Sequence, residues 1–506
     1  MSLSETTNHE MPPLVTTGIP GLDDILGGGF TQNRLYLVEG NPGAGKTTLA
    51  LRWLLEGEKL GQKGIYVTLS ETKNELEAVA CSHGWSLAGI NILELVAPES
   101  ELEPDNQTSM FQSVEIEMGV TTKAILAEVE RTKPNRIVID SLSEMRLLAQ
   151  SPLRYRRQIL AMKQYFVGRE CTVFLLDDRT SDSEDLQLQS IAHGVVSLEQ
   201  LSPEYGAERR RLRIIKLRGQ RYRGGYHDFV IEKGGLSVFP RLVAGEHTQG
   251  QKRGVLASDN CELDKLLGGG LQYGTSAVLL GPAGSGKSTL AIQYARAAAG
   301  RGERSAIFAF DERLETLLER TTGLGMDITE HLNSGHINVH PIDTAELSPG
   351  EFAHRVRRAA EGADGIPGAK VIVIDSLNGY LNAMPEERFL TAQLHELLTY
   401  LGHKGVVTFL VVAQHGLVGQ MESPIDTTYL ADTVILFRYF EAMGEVRQAI
   451  SVLKKRSGKH ERTIRELSLG EKGITIGQPL KDFQGVLTGT PTFCGADQKL
   501  TGPIDE

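Results

Sequence analysis

The chain has 506 residues, which predicts roughly two to four domains at about 100–200 residues each. An apolar content of 40% and a charged content of 23% are typical of globular proteins, and the net charge of −11 argues against broad, non-specific binding to nucleic acid or anionic membranes. The four cysteines form no CxxC pair, and no apolar run approaches the roughly 20 residues that span a bilayer. The N-terminus is polar and lacks a signal-peptide core, so we expect a cytoplasmic protein without a zinc or redox motif.

The predicted elements begin after a flexible N-terminal segment, residues 1–13. From there, short β-branched runs alternate with helical stretches, and the runs are RLYLVEG, GIYVTLS, RIVIDS, CTVFLLDD, GVVSL and RLRIIKL. Short apolar runs between amphipathic helices predict an α/β fold, in which a mainly parallel twisted sheet is covered by helices on both faces.

The second half of the chain repeats the first. Residues 18–49 (GIPGLDDILGGGFTQNRLYLVEGNPGAGKTTL) return at an offset of 241 as residues 259–290 (DNCELDKLLGGGLQYGTSAVLLGPAGSGKSTL). RIVIDSLS and IIKLRG return in the same order as VIVIDSLN and VLKKRS, at offsets of 235 and 238. A period of this length is that of a whole domain. We predict tandem domains at 14–245 and 246–484, followed by a C-terminal loop and tail at 485–506.

Each domain carries one G-x-x-x-x-G-K-[ST] motif between an apolar run and an amphipathic helix. Glycines in this context let backbone N–H groups wrap phosphates, and the helix N-terminus adds its positive end. We predict that ATP binds to both domains and that Thr47 and Ser288 are ligands of Mg²⁺. The residues predicted to surround the phosphates are Gly40, Asn41, Pro42, Gly43, Ala44, Gly45, Lys46, Thr47 and Thr48 in the first domain, and Gly281, Pro282, Ala283, Gly284, Ser285, Gly286, Lys287, Ser288 and Thr289 in the second.

Acidic residues follow several of the predicted strands. Asp140 and Asp375 end RIVID and VIVID, where a carboxylate can hold Mg²⁺ through water; an ordinary strand-end aspartate is the alternative. Glu71 and the pair Asp311 and Glu312 follow the second strand of each domain. A carboxylate there can orient and deprotonate a water aimed at the γ-phosphate, and a solvated helix-cap acid is the alternative.

Further polar residues follow the later strands of each domain. Asp178 and Gln414 close the fourth strands, where either could sense the γ-phosphate. Pairs of cations two residues apart share one face of a later strand and could reach the phosphates of a neighbouring subunit. These pairs are Lys216 with Arg218 and Lys454 with Arg456. The alternative is a solvated or nucleic-acid-facing strand, since residues 209–223 hold eight cations in fifteen residues.

The chain resembles the KaiC family, RecA-superfamily ATPases of the bacterial circadian clock. The motifs that carry the resemblance are GIPGLDDILGGGF, the two P-loops, the S-E-T and D-E-R turns, the two VIDSL strands and the KLRG strand. The resemblance spans roughly residues 14–490. It implies a RecA-like fold in each domain and a two-tiered homohexamer with ATP at the subunit interfaces, contacted in trans by the cation pairs. It also implies a slow ATPase in the first domain and an autokinase and autophosphatase in the second.

The sequence departs from the family pattern at two places. The first hydrolytic turn reads Ser70-Glu71, whereas the family has two glutamates, so one base remains. In the segment MESPIDTTYLADTVILF, the acceptor serine and threonine of the family correspond to Thr428 and Tyr429, and Thr427 lies one residue upstream. A tyrosine hydroxyl lies several ångströms farther out than a threonine hydroxyl. Thr428 and Thr427 are therefore the candidate phosphoacceptors, unless they only favour the following strand.

Three functions are consistent with the sequence. The first is a KaiC-like hexameric ATPase with possible autokinase activity, acting in timing or signalling, and the resemblance implies a KaiB-like partner. The second is a RecA- or DnaB-like motor on nucleic acid, against which the acidic net charge argues. The third is a signalling scaffold that binds ATP but turns it over little. A fold of this kind does not by itself decide among them.

Overall fold

The computed structural model describes residues 13–95, 110–149, 151–178, 186–203, 206–246, 254–343, 345–363, 365–382, 389–414, 430–488 and 491–494. The chain divides into two compact units, Met1–Arg241 and Leu242–Glu506. The division lies four residues before the domain boundary expected from the sequence, because Ala244 is buried in the core of the second unit.

The first unit has the alternating order of elements that the sequence predicts. Its strands are β1 (Leu14–Val15), β2 (Phe30–Thr31), β3 (Leu35–Gly40), β4 (Gly64–Thr68), β5 (Ile90–Glu94), β6 (Arg136–Asp140), β7 (Thr172–Asp178), β8 (Gly194–Leu201), β9 (Arg209–Leu217), β10 (His227–Glu232) and β11 (Gly235–Phe239). Its helices are α1 (Pro20–Leu26), α2 (Lys46–Lys59), α3 (Lys73–Ser82), α4 (Met110–Thr132), α5 (Leu142–Ala149), α6 (Pro152–Val167) and α7 (Leu186–Ile191).

Nine strands of the first unit form one sheet in the order β11-β10-β9-β8-β3-β7-β6-β4-β5, and β1 pairs separately with β2. The six strands from β8 to β5 are parallel, and β9, β10 and β11 extend the sheet antiparallel. Strands β3, β4 and β6 are buried along their whole length, since helices cover both faces. This arrangement confirms the predicted α/β fold.

The second unit repeats these elements. Its strands are β12 (Val255–Leu256), β13 (Leu271–Gln272), β14 (Ser276–Gly281), β15 (Ser305–Ala309), β16 (Ile337–Pro341), β17 (Gly362–Ala363), β18 (Ile366–Pro367), β19 (Val371–Asp375), β20 (Val407–Ala413), β21 (Thr433–Ala442), β22 (Glu445–Lys455), β23 (Arg465–Gly470), β24 (Gly473–Pro479), β25 (Phe483–Gln484) and β26 (Thr492–Phe493). Its helices are α8 (Cys261–Leu266), α9 (Lys287–Gly300), α10 (Leu314–Gly323), α11 (Thr329–Asn333), α12 (Pro349–Glu361), α13 (Leu377–Asn382) and α14 (Leu390–His403).

The second nine-stranded sheet has the same topology as the first. Its order is β16-β15-β19-β20-β14-β21-β22-β23-β24, with six parallel strands followed by an antiparallel extension. Both sheets carry an irregularity in the register at the corresponding place, between Val195 and Val196 and between Val434 and Ile435. A bulge re-aims the side chains beside it, and each bulge lies next to one of the predicted lysines, Lys216 or Lys454.

Helix α2 shows how the sequence produces the packing. Its apolar residues recur at intervals of three and four, so that Leu49 and Trp53 face the sheet and are buried. The Trp53 ring stacks on Phe174 of β7, with ring centroids 3.8 Å apart. The helix is thereby fixed against the middle of the sheet, with its N-terminus at the end of β3.

The segment predicted to be a C-terminal loop and tail is packed where it begins. Strands β25 and β26 pair with each other, and Val486 between them is buried in a small cluster with Phe440 and Ala449. Among the described residues, no helix has the length and apolar character needed to cross a membrane.

Candidate nucleotide sites

Both phosphate-binding loops lie between the end of a central strand and the first residue of a helix, β3 to α2 and β14 to α9. The last glycine of each loop, Gly45 or Gly286, has a positive φ, 96° and 97° respectively. Glycine is favoured at Gly45 by this backbone angle, and a Cβ atom there would lie 2.7 Å from Ile231 Cδ1, so that side chain would have to shift. The loops therefore present backbone N–H groups at a helix N-terminus, which fits a phosphate.

Lys46 of the first loop is buried, and its ammonium group is fully engaged. Nζ donates to the carbonyl oxygens of Gly40 at 2.9 Å and Asn41 at 3.0 Å, and it lies 2.6 Å from Asp178 Oδ1. Asp178 ends strand β7 directly opposite Gly40 of β3. The predicted γ-phosphate sensor is thus an ion-pair partner of the P-loop lysine.

Lys287 of the second loop has a different environment. Its Nζ donates to the Pro282 carbonyl at 2.6 Å, and within the described part of the chain it forms no ion pair. Burial lowers the pKa of Lys287 to about 8, although the Asp375 carboxylate opposes this shift. Ala413 takes the position opposite Gly281 that Asp178 takes opposite Gly40, and Gln414 follows it, with its side chain bound to Arg438 at 2.8 Å.

The hydroxyl and the carboxylate that the sequence assigns to Mg²⁺ lie next to each other in both units. Thr47 Oγ1 lies 3.4 Å from Asp140 Oδ2, which also accepts a hydrogen bond from the Tyr66 hydroxyl. Ser288 forms the corresponding hydrogen bond to Asp375. Burial raises the pKa of both aspartates. Hard oxygen donors at the edge of a phosphate loop fit Mg²⁺, which keeps most of its shell from water and phosphate.

Glu71 lies in the turn between β4 and α3, one residue before the helix cap. Thr72 caps the helix by accepting from the Glu75 backbone at 3.3 Å, while the Glu75 carboxylate accepts from the Thr72 backbone at 2.7 Å. Glu71 is half-buried, and among the described residues no partner reaches its buried Oε2 atom. Burial raises the pKa of Glu71, with further contributions from the carboxylates of Asp140, Glu75 and Asp178.

Glu312 occupies the corresponding turn of the second unit, but its carboxylate is paired. Arg320 of α10 donates from Nε to Oε1 at 2.9 Å and from Nη2 to Oε2 at 2.7 Å. Arg320 Nη1 also donates to Thr289 Oγ1 at 3.1 Å. Asp311, which is exposed, accepts a hydrogen bond from Ser376 Oγ. These residues line a cavity of about 730 Å³ together with the second phosphate loop.

The side chains of the two predicted cation pairs bind backbone carbonyl groups or a carboxylate of their own unit. Lys216 and Arg218 both donate to the Ser190 carbonyl at the end of α7, at 3.4 and 2.9 Å. Lys163 donates to the neighbouring Ile191 carbonyl at 2.6 Å, so it adds a third cation that sequence reasoning missed. In the second unit, Lys454 donates to the Ala431 carbonyl at 2.9 Å and Arg456 lies 3.5 Å from Asp432. In both units the arginine of the pair lies one residue beyond the end of its strand, Arg218 after β9 and Arg456 after β22.

The structure therefore groups the P-loop, strand-end and turn residues of each unit into one cluster, and it places the cation pairs apart from that cluster. Arg320 and Tyr66 belong to the clusters but were not found from the sequence. A comparison of the two halves would have marked Arg320, since the first half has Val79 at the same offset of 241. Thr427 and Thr428 lie outside the described residues.

Two copies of a RecA-like α/β domain, each with a phosphate-binding loop at the carboxyl edge of its sheet, define a tandem P-loop protein. A family model described as "ATPase: KaiC" matches residues 15–243 and again residues 261–481. The chain belongs to the KaiC family, and nucleotide binding follows from that membership.

Among similar proteins, the circadian clock protein KaiC3 of Synechocystis sp. is 27% identical over 503 residues, which cover 97% of each chain. The circadian clock oscillator protein KaiC of Thermostichus vulcanus is 28% identical over 96% of this chain and 93% of its own. The KaiC protein of Synechococcus elongatus is 26% identical over 98% of this chain and 95% of its own. The likeness therefore extends over both units.

Proposed function

We propose that this chain is a KaiC-like homohexameric ATPase, which binds Mg·ATP in both units, hydrolyses it slowly and acts in timing or signalling. The observation that carries the proposal is the arrangement around Glu71. Its Oε2 atom has no hydrogen-bond partner among the described residues, and burial together with neighbouring carboxylates raises its pKa, which favours proton uptake. A general base needs these two properties.

Hydrolysis in the first unit would follow from these positions. The oxygen of a water attacks the γ-phosphorus, the bond to the β–γ bridging oxygen breaks, and Glu71 accepts the proton of the water. Lys46 neutralises charge that develops on the phosphates after it leaves Asp178. Mg²⁺ held at Thr47 and, through water, at Asp140 would neutralise the β- and γ-phosphate oxygens.

In the second unit we propose phosphate transfer to Thr428 or Thr427 of a neighbouring subunit. The hydroxyl oxygen attacks the γ-phosphorus, ADP leaves, and Asp311 or Glu312 accepts the hydroxyl proton. Asp311 is exposed at the edge of the cavity, which is the position required for a hydroxyl that arrives from outside. The exposed Arg218 and Arg456 have the reach to contact nucleotide across a subunit interface, and a KaiB-like protein is the proposed partner of the first unit.

The test is to incubate purified protein with Mg·ATP for a day and to take intact and peptide mass spectra. A phosphate on Thr428 or Thr427 that is absent from the Asp311→Asn/Glu312→Gln variant supports the kinase. Release of ADP without phosphopeptides would leave a tandem ATPase. No release of ADP in any condition would leave the ATP-binding scaffold.

A nucleic-acid motor finds less support, because two of the eight cations of residues 209–223 form ion pairs within the unit. Arg211 pairs with Glu199 at 2.8 Å, and Arg223 of the same segment pairs with Asp24 at 2.7 Å. Stimulation of ATP hydrolysis by single-stranded DNA, lost at high salt, would favour the motor instead.

A further inference from the structure

The two units share one topology, but an arginine binds the turn glutamate of the second unit and has no counterpart at the equivalent position of the first. Helices α3 and α10 begin and end at the same offset of 241 residues, as do Glu71 and Glu312. At the seventh residue after the helix cap the second unit has Arg320, whereas the first has Val79, which packs on the hydrophobic core.

Arg320 engages the whole carboxylate of Glu312. Two of its nitrogens bind the two carboxylate oxygens at 2.9 and 2.7 Å, and a third binds Thr289 Oγ1 at the start of α9. This fork geometry is the strong, bidentate form of a charge-assisted pair. It fixes Glu312 to the helix that follows the phosphate loop. Thr48 stands at the corresponding position of the first unit, where Val79 has no group to bind it.

We propose that Arg320 is a positioning residue that restrains Glu312 against Thr289, so that the second site activates water less readily than the first. A carboxylate accepts a proton from water only through an oxygen with a free lone pair in the direction of that water. The guanidinium binds both oxygens of Glu312 and fixes the direction of their remaining lone pairs, while Glu71 Oε2 has no hydrogen-bond partner among the described residues. The carboxylate of Asp311, which accepts a hydrogen bond from Ser376, is then the proton acceptor for phosphate transfer to a hydroxyl.

The charges around Glu312 are consistent with this role. The carboxylates of Glu319, Asp311 and Asp375 and the ammonium of Lys287 line the same cavity. Without Arg320, the three neighbouring carboxylates would repel Glu312 and direct it toward solvent and Lys287. The guanidinium is therefore the group that holds Glu312 at the phosphate loop.

The inference rests on the proposed ATPase function, and the experiment separates the two. In a Glu71→Gln background, hydrolysis comes from the second site, and Arg320→Val should raise kcat there by roughly three- to tenfold. This gain is smaller than the full rate enhancement that a positioned general base supplies. KM for ATP should stay unchanged. Arg320→Lys, which can occupy one carboxylate oxygen at a time, should give an intermediate rate. Adding Glu312→Gln to Arg320→Val should abolish the gain.

The reciprocal change transfers the restraint to the first site. In an Asp311→Asn/Glu312→Gln background, Val79→Arg should lower kcat of the first site by a similar factor, since the new guanidinium can reach Glu71 and Thr48. Arg301→Val, which removes a cation paired with Asp259 on the surface of the second unit, is the matched control and should change neither rate.

A gain of activity on removal of a side chain is not the result of a damaged fold, which lowers kcat. An unchanged or lower kcat in Arg320→Val, with KM for ATP retained, overturns the inference and leaves the ATPase standing. Absence of ATP hydrolysis in the wild-type protein overturns the proposed function, and the inference with it.

Discussion

Lys46 and Asp178 form an ion pair in the first nucleotide site, with Nζ and Oδ1 2.6 Å apart. Among the described residues of the second site this pair has no counterpart, because Ala413 stands in place of Asp178. The lysine is buried, and Asp178 is 27% exposed. ATP phosphates must compete with Asp178 for this ammonium group. We therefore expect the carboxylate to lower the affinity of the first site for nucleotide and to repel the γ-phosphate.

Removal of Asp178 should strengthen nucleotide binding at the first site. We expect Asp178→Ala to lower the Kd for ATP by about tenfold, which corresponds to about 1.4 kcal/mol. Titration calorimetry in a Lys287→Ala background, which silences the second site, measures this change.

The matched substitution in the second unit is Ala413→Asp. It introduces a carboxylate opposite Gly281 and should weaken ATP binding there by a similar factor, measured in a Lys46→Ala background. An unchanged Kd for both variants would show that the lysine is released from Asp178 without cost.

The second site should lose affinity for ATP at alkaline pH. The pKa of Lys287 is lowered to about 8 by burial, so the nucleotide-free site loses its positive charge as pH rises through that value. Bound phosphate favours the charged form. The Kd should therefore be nearly constant below pH 7 and rise by up to about tenfold per unit above pH 8.

This pH dependence is measured by fluorescence titration with a labelled nucleotide between pH 6 and 9.5. Lys287→Arg keeps its charge over this range and is the control. A flat profile in the wild-type protein would contradict the assignment of Lys287 as the phosphate-binding cation of this site.

The sequence predicts the central part of each sheet because the buried parallel strands are short, continuous apolar runs, as in RLYLVEG and RIVIDS. It does not predict β5, β10 and β11, whose burial patterns are broken by exposed or half-buried residues. The phosphate loops are predictable because phosphate binding itself requires the spacing of the glycines, the lysine and the hydroxyl residue in the motif. The pairs Lys46 with Asp178 and Glu312 with Arg320 are not, because they depend on which side chains meet across separate elements.

Arg136 also illustrates what the sequence conceals. Arg136 is the opening residue of the run RIVID, and its side chain is 1% exposed. The guanidinium donates to the carbonyl oxygens of Trp53 at 2.6 Å and Thr16 at 3.0 Å and to Gln62 Oε1 at 2.7 Å. Burial lowers its pKa to about 10, so it stays charged at neutral pH. It ties the start of the unit to α2.

Arg136→Val, which installs the residue found at the corresponding position Val371, should destabilise the first unit by about 2–4 kcal/mol, because buried carbonyl groups lose their donors. Both tryptophans of the chain, Trp53 and Trp85, lie in this unit, so tryptophan fluorescence in urea reports on its unfolding. Arg131→Ala, at a side chain 69% exposed, should change stability by less than about 0.5 kcal/mol. Equal unfolding midpoints for Arg136→Val and the wild type would refute this account of Arg136.

The most direct test of the central claim is the rate of phosphate release from saturating Mg·ATP by the wild-type protein and Glu71→Gln, measured from pH 5 to 8. A general base acts when deprotonated, so wild-type hydrolysis should fall on the acid side through the raised pKa of Glu71. Glu71→Gln should lose about 10²-fold or more of the first-site rate and, with it, this acid limb. A Glu71→Gln variant that hydrolyses ATP at the wild-type rate and with the wild-type pH profile would contradict the claim that the first unit is an ATPase driven by Glu71.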